Sequence, residues 1–327
     1  MSGTCRICGN TEGNVEHYAK EMMFGMKDEF LYFECGNCGC LQISNIPNCM
    51  EKYYPSNYYS YKTSKHTNLT RLDRFLASCK STNVLNGSNL IGQLLNYWQP
   101  ATKFPAWFKE VKPSLDSKVL DVGCGEGSFL SDLESKGFNN LTGVDPYIRE
   151  SKEFSKRFRI IKCELEQLES KYDVIVLSHS FEHMADQKKV ISALSNLLEE
   201  NGTVVIRIPV VSGYAWRHYK TNWVQLDAPR HFYLHTEKSM NLVAQQGGFT
   251  IYKTEYDSSM LQFWGSEQYL KGIPLADARS LSNGRESSVF SSEEIESFKA
   301  RAKSLNRKKD GDQANFFLKK AKPKILS

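Results

Sequence analysis

The pattern of apolar and polar positions changes character at Lys118. From there to residue 209, short apolar runs alternate with helical periodicity, which predicts five strands (118–122, 141–145, 159–163, 172–178 and 203–209) and three helices (126–136, 147–157 and 187–200). A helix at 237–246 and a strand at 249–257 continue the pattern, with Thr236 as the N-cap of that helix. Such alternation is typical of a parallel sheet covered on both faces by helices. We therefore expect an α/β domain over residues 117–275.

The pattern is weaker on both sides of this domain. Residues 1–47 are rich in cysteine, and residues 48–116 combine a Tyr-rich linker with two helical sets of apolar positions that end before Pro100 and Pro113. Residues 276–327 are Ser-rich and then Lys-rich, with one helix-like piece near 293–305. We predict that this last segment is a basic, partly disordered tail.

Composition and charge narrow the function classes. The chain has 327 residues, is 40% hydrophobic and carries a net charge of +5. Residues 299–327 hold ten Lys or Arg and two Asp, so the remainder is slightly acidic, which makes nucleic acid an unfavoured partner. The start does not resemble a signal peptide, and no apolar run reaches the roughly 18 residues of a membrane span. We expect a cytoplasmic protein that acts on a small molecule, with its oligomeric state left open.

A glycine-rich loop follows the first predicted strand. The segment VLDVGCGEGSFL runs through Gly123, Gly125 and Gly127 straight into a helix. Glycine lets a ligand approach the backbone closely, and the helix start offers free N–H groups. A dinucleotide fold uses G-x-G-x-x-G to seat a pyrophosphate, whereas this loop is G-x-G-x-G and carries Glu126, whose charge disfavours phosphates.

An acidic residue stands at the end of the second predicted strand. Asp145 lies 20 residues after Gly125, where a carboxylate can accept hydrogen bonds from both ribose hydroxyls. A ligand with a ribose, an amino acid end and no phosphate fits the loop and the acid together. We therefore predict S-adenosylmethionine as the cofactor.

These motifs resemble those of class I S-adenosylmethionine-dependent methyltransferases. VLDVGCGEGSFL is similar to their first motif, GVDP to their acidic motif and NGTVVIRIP to the region of their fifth strand, over roughly residues 116–257. The resemblance implies a Rossmann-like α/β sheet, parallel with one antiparallel strand. It also implies cofactor contacts from the glycine loop and acid, from residues flanking the adenine and from residues near the methionine end: Asp121, Gly123, Cys124, Gly125, Asp145, Glu164, Leu165, Ser178 and His179.

Two segments carry the candidate catalytic histidines. SFEH, after the fourth strand, resembles the LEH segment of small-molecule methyltransferases, and PRH, near residue 230, resembles the HEH or PRH segment of nucleotide-sugar and polysaccharide methyltransferases. Imidazole has an unperturbed pKa near ~6.5 and is the natural acceptor of a substrate proton. We predict that His231, or failing that His183, is the base. The alternative for each is a structural role in bracing its loop.

Two C-x-x-C pairs lie in the first 47 residues. Cys5 and Cys8 are separated by 26 residues from Cys35 and Cys38, and a glycine follows each pair. Four thiolates suit tetrahedral Zn²⁺, and a site closed by four protein ligands is structural rather than catalytic. The segment resembles the zinc ribbon of sugar-modifying methyltransferases. The tyrosines that follow either line an acceptor pocket or pack the ribbon onto the catalytic domain: Tyr53, Tyr54, Tyr58, Tyr59 and Tyr61.

Three functions are compatible with these features. The preferred one is methyl transfer to a small acceptor, a sugar or sugar-linked metabolite of cell-surface polysaccharide or secondary-metabolite biosynthesis. The second is an RNA methyltransferase that uses the ribbon and the basic tail, for which steep salt dependence of binding would be expected. The third is a non-catalytic S-adenosylmethionine-binding scaffold.

Overall fold

The computed structural model describes residues 3–55, 70–98 and 102–322. The strands of these residues are β1 (Val15–Lys20), β2 (Glu29–Glu34), β3 (Leu41–Ile43), β4 (Lys118–Val122), β5 (Asn140–Val144), β6 (Lys152–Ser155), β7 (Phe158–Ile161), β8 (Tyr172–Ser178), β9 (Leu198–Pro209), β10 (Tyr233–Leu234), β11 (Phe249–Tyr256) and β12 (Gln313–Lys320).

The helices surround these strands. They are α1 (Arg71–Asn86), α2 (Leu90–Trp98), α3 (Phe108–Val111), α4 (Ser128–Ser135), α5 (Gln187–Leu197), α6 (Tyr214–Tyr219), α7 (Glu237–Gln246), α8 (Leu261–Leu270) and α9 (Ser292–Arg307). None of the helices in the described ranges is long and apolar enough to cross a bilayer.

The central sheet has eight strands in the order β11-β12-β9-β8-β4-β5-β7-β6. The pairs from β9 across to β7 are parallel, and β12 is antiparallel to both of its neighbours. The predicted α/β class and mostly parallel sheet are confirmed. Chain order reverses direction across the sheet at β4, and the crevice at such a point is where open α/β sheets bind ligands.

Local signals predicted much of this layout. Strands β4 and β8 and helix α7 have the predicted bounds, and Thr236 caps α7 by accepting a hydrogen bond from the N–H of Ser239 at 3.0 Å. The predicted helix at 147–157 is wrong. Those residues form a turn and then β6, which pairs antiparallel with β7, so the sheet has two antiparallel strands rather than one. The ring of Phe154 stacks on Phe158 at 4.6 Å, a contact that the hairpin provides.

The prediction of a partly disordered tail at 276–327 is also wrong for its described part. Helix α9 begins with a capping box at Ser291, and β12 inserts between β9 and β11. Residues 313–318 are buried, with Phe316 in the core on one face of the sheet and Phe317 in the core on the other. The C-terminal segment therefore completes the sheet that the prediction had ended at 275. Residues 323–327 lie outside the described residues.

The N-terminal segment forms a second sheet in the order β1-β2-β3-β10. Its last strand, β10, comes from the segment directly after His231 and pairs antiparallel with β3. The small sheet therefore crosses the predicted domain boundary at residue 47, since β10 comes from the predicted α/β domain. The cysteine-rich segment packs against the segment that carries a candidate catalytic histidine.

Candidate active site

A cavity of about 540 Å³ opens where β4, β8 and β9 end. That volume lies in the range of roughly 300–1,000 Å³ usual for small-molecule sites. Five predicted cofactor residues line it: Asp121, Gly123, Cys124, Gly125 and Ser178. Arg207, Asp257, Phe129 and the segment 105–107 form much of the remaining wall.

Asp145 braces the glycine loop from the end of β5. Its Oδ2 accepts a hydrogen bond from the N–H of Gly125 at 3.0 Å, and its Oδ1 accepts one from the N–H of Tyr147 at 2.8 Å. A carboxylate has about four acceptor positions, so two bonds to the backbone leave capacity for two hydroxyl groups. The predicted ribose role therefore fits the geometry of this side chain.

The charge of the cavity favours a cation. Asp121 is buried, and burial, followed by the charge of Asp145, raises the pKa of its carboxyl to about 7. A bound positive group would favour the ionised carboxylate, and S-adenosylmethionine carries a sulfonium and an ammonium. Glu126 acts differently from the prediction, because its Oε2 accepts a hydrogen bond from Lys152 Nζ at 3.0 Å and is neutralised there.

The glycine loop is packed against the loop that follows β8. Gly123 has φ +76°, and a Cβ placed on it would lie 2.5 Å from Ser180 Cβ, so only glycine fits. Ser180 Oγ donates a hydrogen bond to the carbonyl of Val122 at 2.7 Å. The glycine loop and the SFEH segment therefore hold a fixed position relative to each other.

The residues predicted to flank the adenine lie after β7. Leu165 is buried and begins a short 3-10 turn, and Gln167 Oε1 accepts a hydrogen bond from the N–H of Glu164 at 2.8 Å. Neither residue is part of the cavity wall described above. Their adenine contact stays a prediction.

His179 links the cavity to the buried side of the SFEH segment. It has φ +54°, in the left-handed region. Its Nε2 lies 2.6 Å from the NH1 nitrogen of Arg207, and Nε of the same guanidinium donates to Asp257 Oδ2 at 2.8 Å. Because a guanidinium only donates, His179 Nε2 accepts, and its Nδ1–H points towards Glu182 Oε1 at 3.5 Å.

The two predicted catalytic histidines lie together although 48 positions separate them. The rings of His183 and His231 are 4.7 Å apart, edge to face. Each ring has its Nδ1 at 2.8 Å from a backbone carbonyl oxygen, that of Arg230 for His183 and that of Gln225 for His231. Glu182 joins them, because one nitrogen or carboxylate oxygen from each of the three residues lies within 4.8 Å of the others. We call Glu182, His183 and His231 the acceptor cluster, because it holds the two residues predicted to act on the methyl acceptor.

Burial and the neighbouring imidazoles together set the protonation of this cluster. Burial, and then the neighbouring His183, lower the pKa of His231 to about 4. Burial raises the pKa of the Glu182 carboxyl, but the imidazoles of His179, His183 and His231 outweigh burial and leave that pKa at about 2. At neutral pH the cluster therefore holds an anionic carboxylate and a neutral His231 with a free Nε2 lone pair.

The N-terminal segment contacts this cluster directly. Tyr32 donates a hydrogen bond to the carbonyl of His231 at 2.8 Å, and Tyr54 Oη lies 3.3 Å from His183 Nδ1. Tyr53 instead donates to Asp28 at 2.8 Å and packs within the N-terminal segment. Tyr54 therefore joins the N-terminal segment to the loop of His183. A tyrosine-lined acceptor pocket stays a prediction, and Tyr58, Tyr59 and Tyr61 lie outside the described residues.

Arg230, which replaces the acid of the HEH pattern, is a buried anchor. Its side chain is 0% exposed, and its NH2 group donates to Glu21 Oε1 at 2.8 Å and to Asp227 Oδ1 at 2.6 Å. Its NH1 group donates to the carbonyl of Tyr53 at 3.1 Å. Arg230 therefore joins the N-terminal segment to the turn that carries His231.

The four predicted metal ligands converge. Cys5 Sγ lies 3.6 Å from Cys38 Sγ, and Cys8 Sγ lies 3.6 Å from Cys35 Sγ. Four sulfurs at about 2.3 Å from a tetrahedral zinc stand about 3.8 Å apart, so the donor set and its spacing fit that ion. Cys40 is buried outside the cluster, with its Sγ 3.8 Å from the carbonyl of Leu41.

A family model described as "Methyltransferase domain" matches residues 71–254, more than half of the 327 residues. The chain belongs to this methyltransferase-domain family. The match spans the glycine loop, Asp145 and the acceptor cluster. It ends before β12, so the strand that completes the sheet lies outside the matched region.

Similarity to individual methyltransferases is partial. Human EEF1A lysine methyltransferase 2 is 49% identical over 39 residues, which are 12% of this chain and 16% of that protein. The ubiquinone biosynthesis O-methyltransferase of Leptothrix cholodnii is 28% identical over 133 residues, 34% of this chain and 56% of that protein. The chain thus spans less than two thirds of the length of these relatives. The crystal structure of an S-adenosylmethionine-dependent methyltransferase from Archaeoglobus fulgidus matches with a TM-score of 0.39 and 20% identity, covering 63% of this chain and 86% of that one.

Sequence reasoning missed three residues of this region. Arg207 and Asp257 line the cavity as an ion pair, and Glu182 is the buried centre of the acceptor cluster. Arg207 lies in an apolar strand, IRIP, where a charged residue near the carboxyl end of a central strand is itself a signal. The position of Asp257 depends on β12, which separates β11 from β9, and the sequence pattern did not reveal that strand.

Proposed function

We propose that this chain transfers a methyl group from S-adenosylmethionine to a small-molecule acceptor. The observation that carries the proposal is the cavity bordered by Asp121 and the glycine loop, with Asp145 bracing that loop. Methyl transfer from a sulfonium is an in-line displacement in which charge is dispersed, so the protein contributes mainly alignment. Asp121 favours the cationic donor, because a bound positive group stabilises its ionised carboxylate.

The proposed acceptor is a sugar or a sugar-linked metabolite of cell-surface polysaccharide or secondary-metabolite biosynthesis. This choice rests on the resemblance of the PRH segment and of the cysteine-rich segment to those of sugar-modifying methyltransferases. The Leptothrix relative is named for ubiquinone biosynthesis, which is also small-molecule chemistry. A cytoplasmic location goes with the same proposal, since free thiols need a reducing compartment.

The acceptor loses its proton at the acceptor cluster. His231, or failing that His183, is the residue that acts on it, because the Nε2 atoms of both rings are free of the backbone bonds that hold Nδ1. A positioned base contributes about 10²–10⁴-fold to rate. The competing role for these rings is to brace their loops.

The four-cysteine cluster holds a structural zinc ion in this proposal. Cys5, Cys8, Cys35 and Cys38 would be its ligands, and the ion would join the two turns that carry them. Gln42 Nε2 donates to Cys5 Sγ at 3.1 Å, a bond that suits a thiolate. No step of the reaction needs this ion.

Calorimetry with S-adenosylmethionine and an acceptor screen test the proposal together. We expect one cofactor site per chain and methyl transfer to members of a panel of nucleotide sugars. His231→Gln should lower turnover about 100-fold or more while cofactor affinity stays unchanged. Wild-type turnover in that variant would end the base role. Cofactor binding without methyl transfer to any acceptor would favour the non-catalytic scaffold, and absence of heat on adding S-adenosylmethionine would contradict the proposal.

The RNA alternative has lost part of its basis. It relied on a free basic tail, yet Lys319 and Lys320 belong to β12 within the sheet. Transfer to RNA with steep salt dependence, and none to nucleotide sugars, would restore it.

A further inference from the structure

The carboxylate of Glu182 is not accounted for by methyl transfer. The side chain is 0% exposed, and neither of its oxygens has a hydrogen-bond partner among the residues that the structure describes. Two imidazole nitrogens lie near Oε1, His179 Nδ1 at 3.5 Å and His231 Nε2 at 3.9 Å. A buried carboxylate is costly unless it is paired or coordinates a cation.

The two imidazoles beside Glu182 are oriented as metal ligands are. Nδ1 of His183 and Nδ1 of His231 each lie 2.8 Å from a backbone carbonyl oxygen. A carbonyl only accepts, so each Nδ1 carries the hydrogen and each Nε2 keeps its lone pair. Metal-ligating histidines commonly donate their other ring N–H to a carbonyl or carboxylate, because that bond fixes the tautomer and the ring.

The spacing between His231 and Glu182 suits two ligands of one ion. Two ligands at about 2.1 Å from a cation stand between about 3.0 Å and about 4.2 Å apart, depending on the angle between them. His231 Nε2 lies 3.9 Å from Glu182 Oε1, within that interval. The three residues together offer atoms within 4.8 Å of one another, so His183 would move slightly closer when it binds the ion. Asp227 Oδ2 is also 3.9 Å from His231 Nε2, but that carboxylate is already paired with Arg230.

We propose that Glu182, His183 and His231 bind a divalent first-row transition metal ion. Two imidazoles and one carboxylate form a ligand set that leaves further coordination positions open. The nitrogen ligands favour cobalt, nickel, iron or zinc over magnesium and calcium. Ser180 ties this site to the carbonyl that precedes Gly123, so the ion would lie beside the cofactor loop.

The role of such an ion rests on the proposed function, whereas its binding does not. An acceptor hydroxyl bound at an open position would have a lowered pKa and would lose its proton to solvent. Its oxygen would then form a bond to the methyl carbon as the bond from that carbon to sulfur breaks, releasing S-adenosylhomocysteine. In the metal-loaded protein the ion would use the Nε2 lone pairs of His183 and His231, so these rings would act on the acceptor proton only through the ion. The base role proposed above applies to the protein without that ion.

Cobalt titration of the zinc-loaded full chain tests the site without cofactor or acceptor. Elemental analysis first establishes the zinc content, and Co²⁺ binding is then followed by calorimetry and visible absorption. We expect one Co²⁺ per chain without the intense charge-transfer band of thiolate ligands. Glu182→Gln and His231→Gln should weaken this binding at least tenfold, while His218→Gln, at an exposed histidine, should leave it unchanged.

Thermal unfolding provides a second readout. Co²⁺ should raise the unfolding midpoint of the wild-type protein but not that of Glu182→Gln. If that variant fails to fold, His183→Gln, at a partly exposed ring, replaces it. Absence of a cobalt site in the wild type would overturn the proposal. So would Co²⁺ binding by the Glu182 and His183 variants that is as tight as binding by the wild type.

Discussion

Replacing Arg230 with Met should be among the most damaging single changes outside the cofactor site. The guanidinium is fully buried and donates to Glu21, to Asp227 and to the carbonyl of Tyr53. Glu21 is also 0% exposed. Removing one partner of such a buried pair costs about 3–5 kcal/mol, because the remaining charge is left uncompensated.

The contacts that remain after this change indicate a loss of stability near the lower end of that interval. Glu21 also accepts hydrogen bonds from the backbone N–H groups of Phe24 and Met26, at 3.0 and 2.9 Å, and the Asp227 side chain keeps 12% of its exposure. We therefore expect Arg230→Met to lower the free energy of unfolding by about 3 kcal/mol. Adding Glu21→Gln should recover part of the loss, since it removes the stranded charge.

Urea unfolding followed by tryptophan fluorescence measures these free energies. Arg217→Met is the matched control, because Arg217 also binds a carboxylate, Asp310 at 2.8 Å, but is 55% exposed. Surface pairs of that kind contribute about 0–1 kcal/mol. A loss below about 1 kcal/mol for Arg230→Met, or a double variant no more stable than the single one, would show that Glu21 is not left as an uncompensated buried charge.

Three further predictions concern the cofactor site, the C-terminal strand and acid stability. Asp145→Asn should weaken S-adenosylmethionine binding about 10- to 100-fold by calorimetry, since a charged acceptor contributes about 1.5–3 kcal/mol; unchanged affinity would exclude the ribose role. Phe316→Ala should lower the free energy of unfolding, measured in urea, by about 3–5 kcal/mol. An unchanged free energy of unfolding would mean that Phe316 lies in a free tail. Burial lowers the pKa of His235 to about 4, with the charge of Glu182 opposing it. The unfolded chain takes up this proton near pH ~6.5 and the folded chain only near 4, so stability should fall as pH drops between those values, by at most about 3 kcal/mol. His235→Gln should flatten that part of the pH profile, and an unaltered profile would contradict the assignment.

The sequence alone determined the features that depend on short stretches of chain. The strand that leads into Gly123, the acid Asp145 after the next strand and the cap at Thr236 each depend on neighbours a few residues away. Local conformational preferences therefore sufficed to predict them. The same holds for the cysteine pairs, whose turns form within a few residues and whose sulfurs then meet in one cluster.

The remaining features were decided by contacts between distant segments. Strand β12 looks like a basic tail because its buried run is short and is followed by lysines, and only the gap between β9 and β11 makes it a strand. The hairpin of β6 and β7 depends in the same way on the edge of the sheet. Burial of Glu182 between imidazoles from two loops cannot be read from either loop, since the cost of burying its charge depends on the assembled surroundings. Local patterns thus determined the cofactor loop, and tertiary packing decided the chemistry of the acceptor cluster.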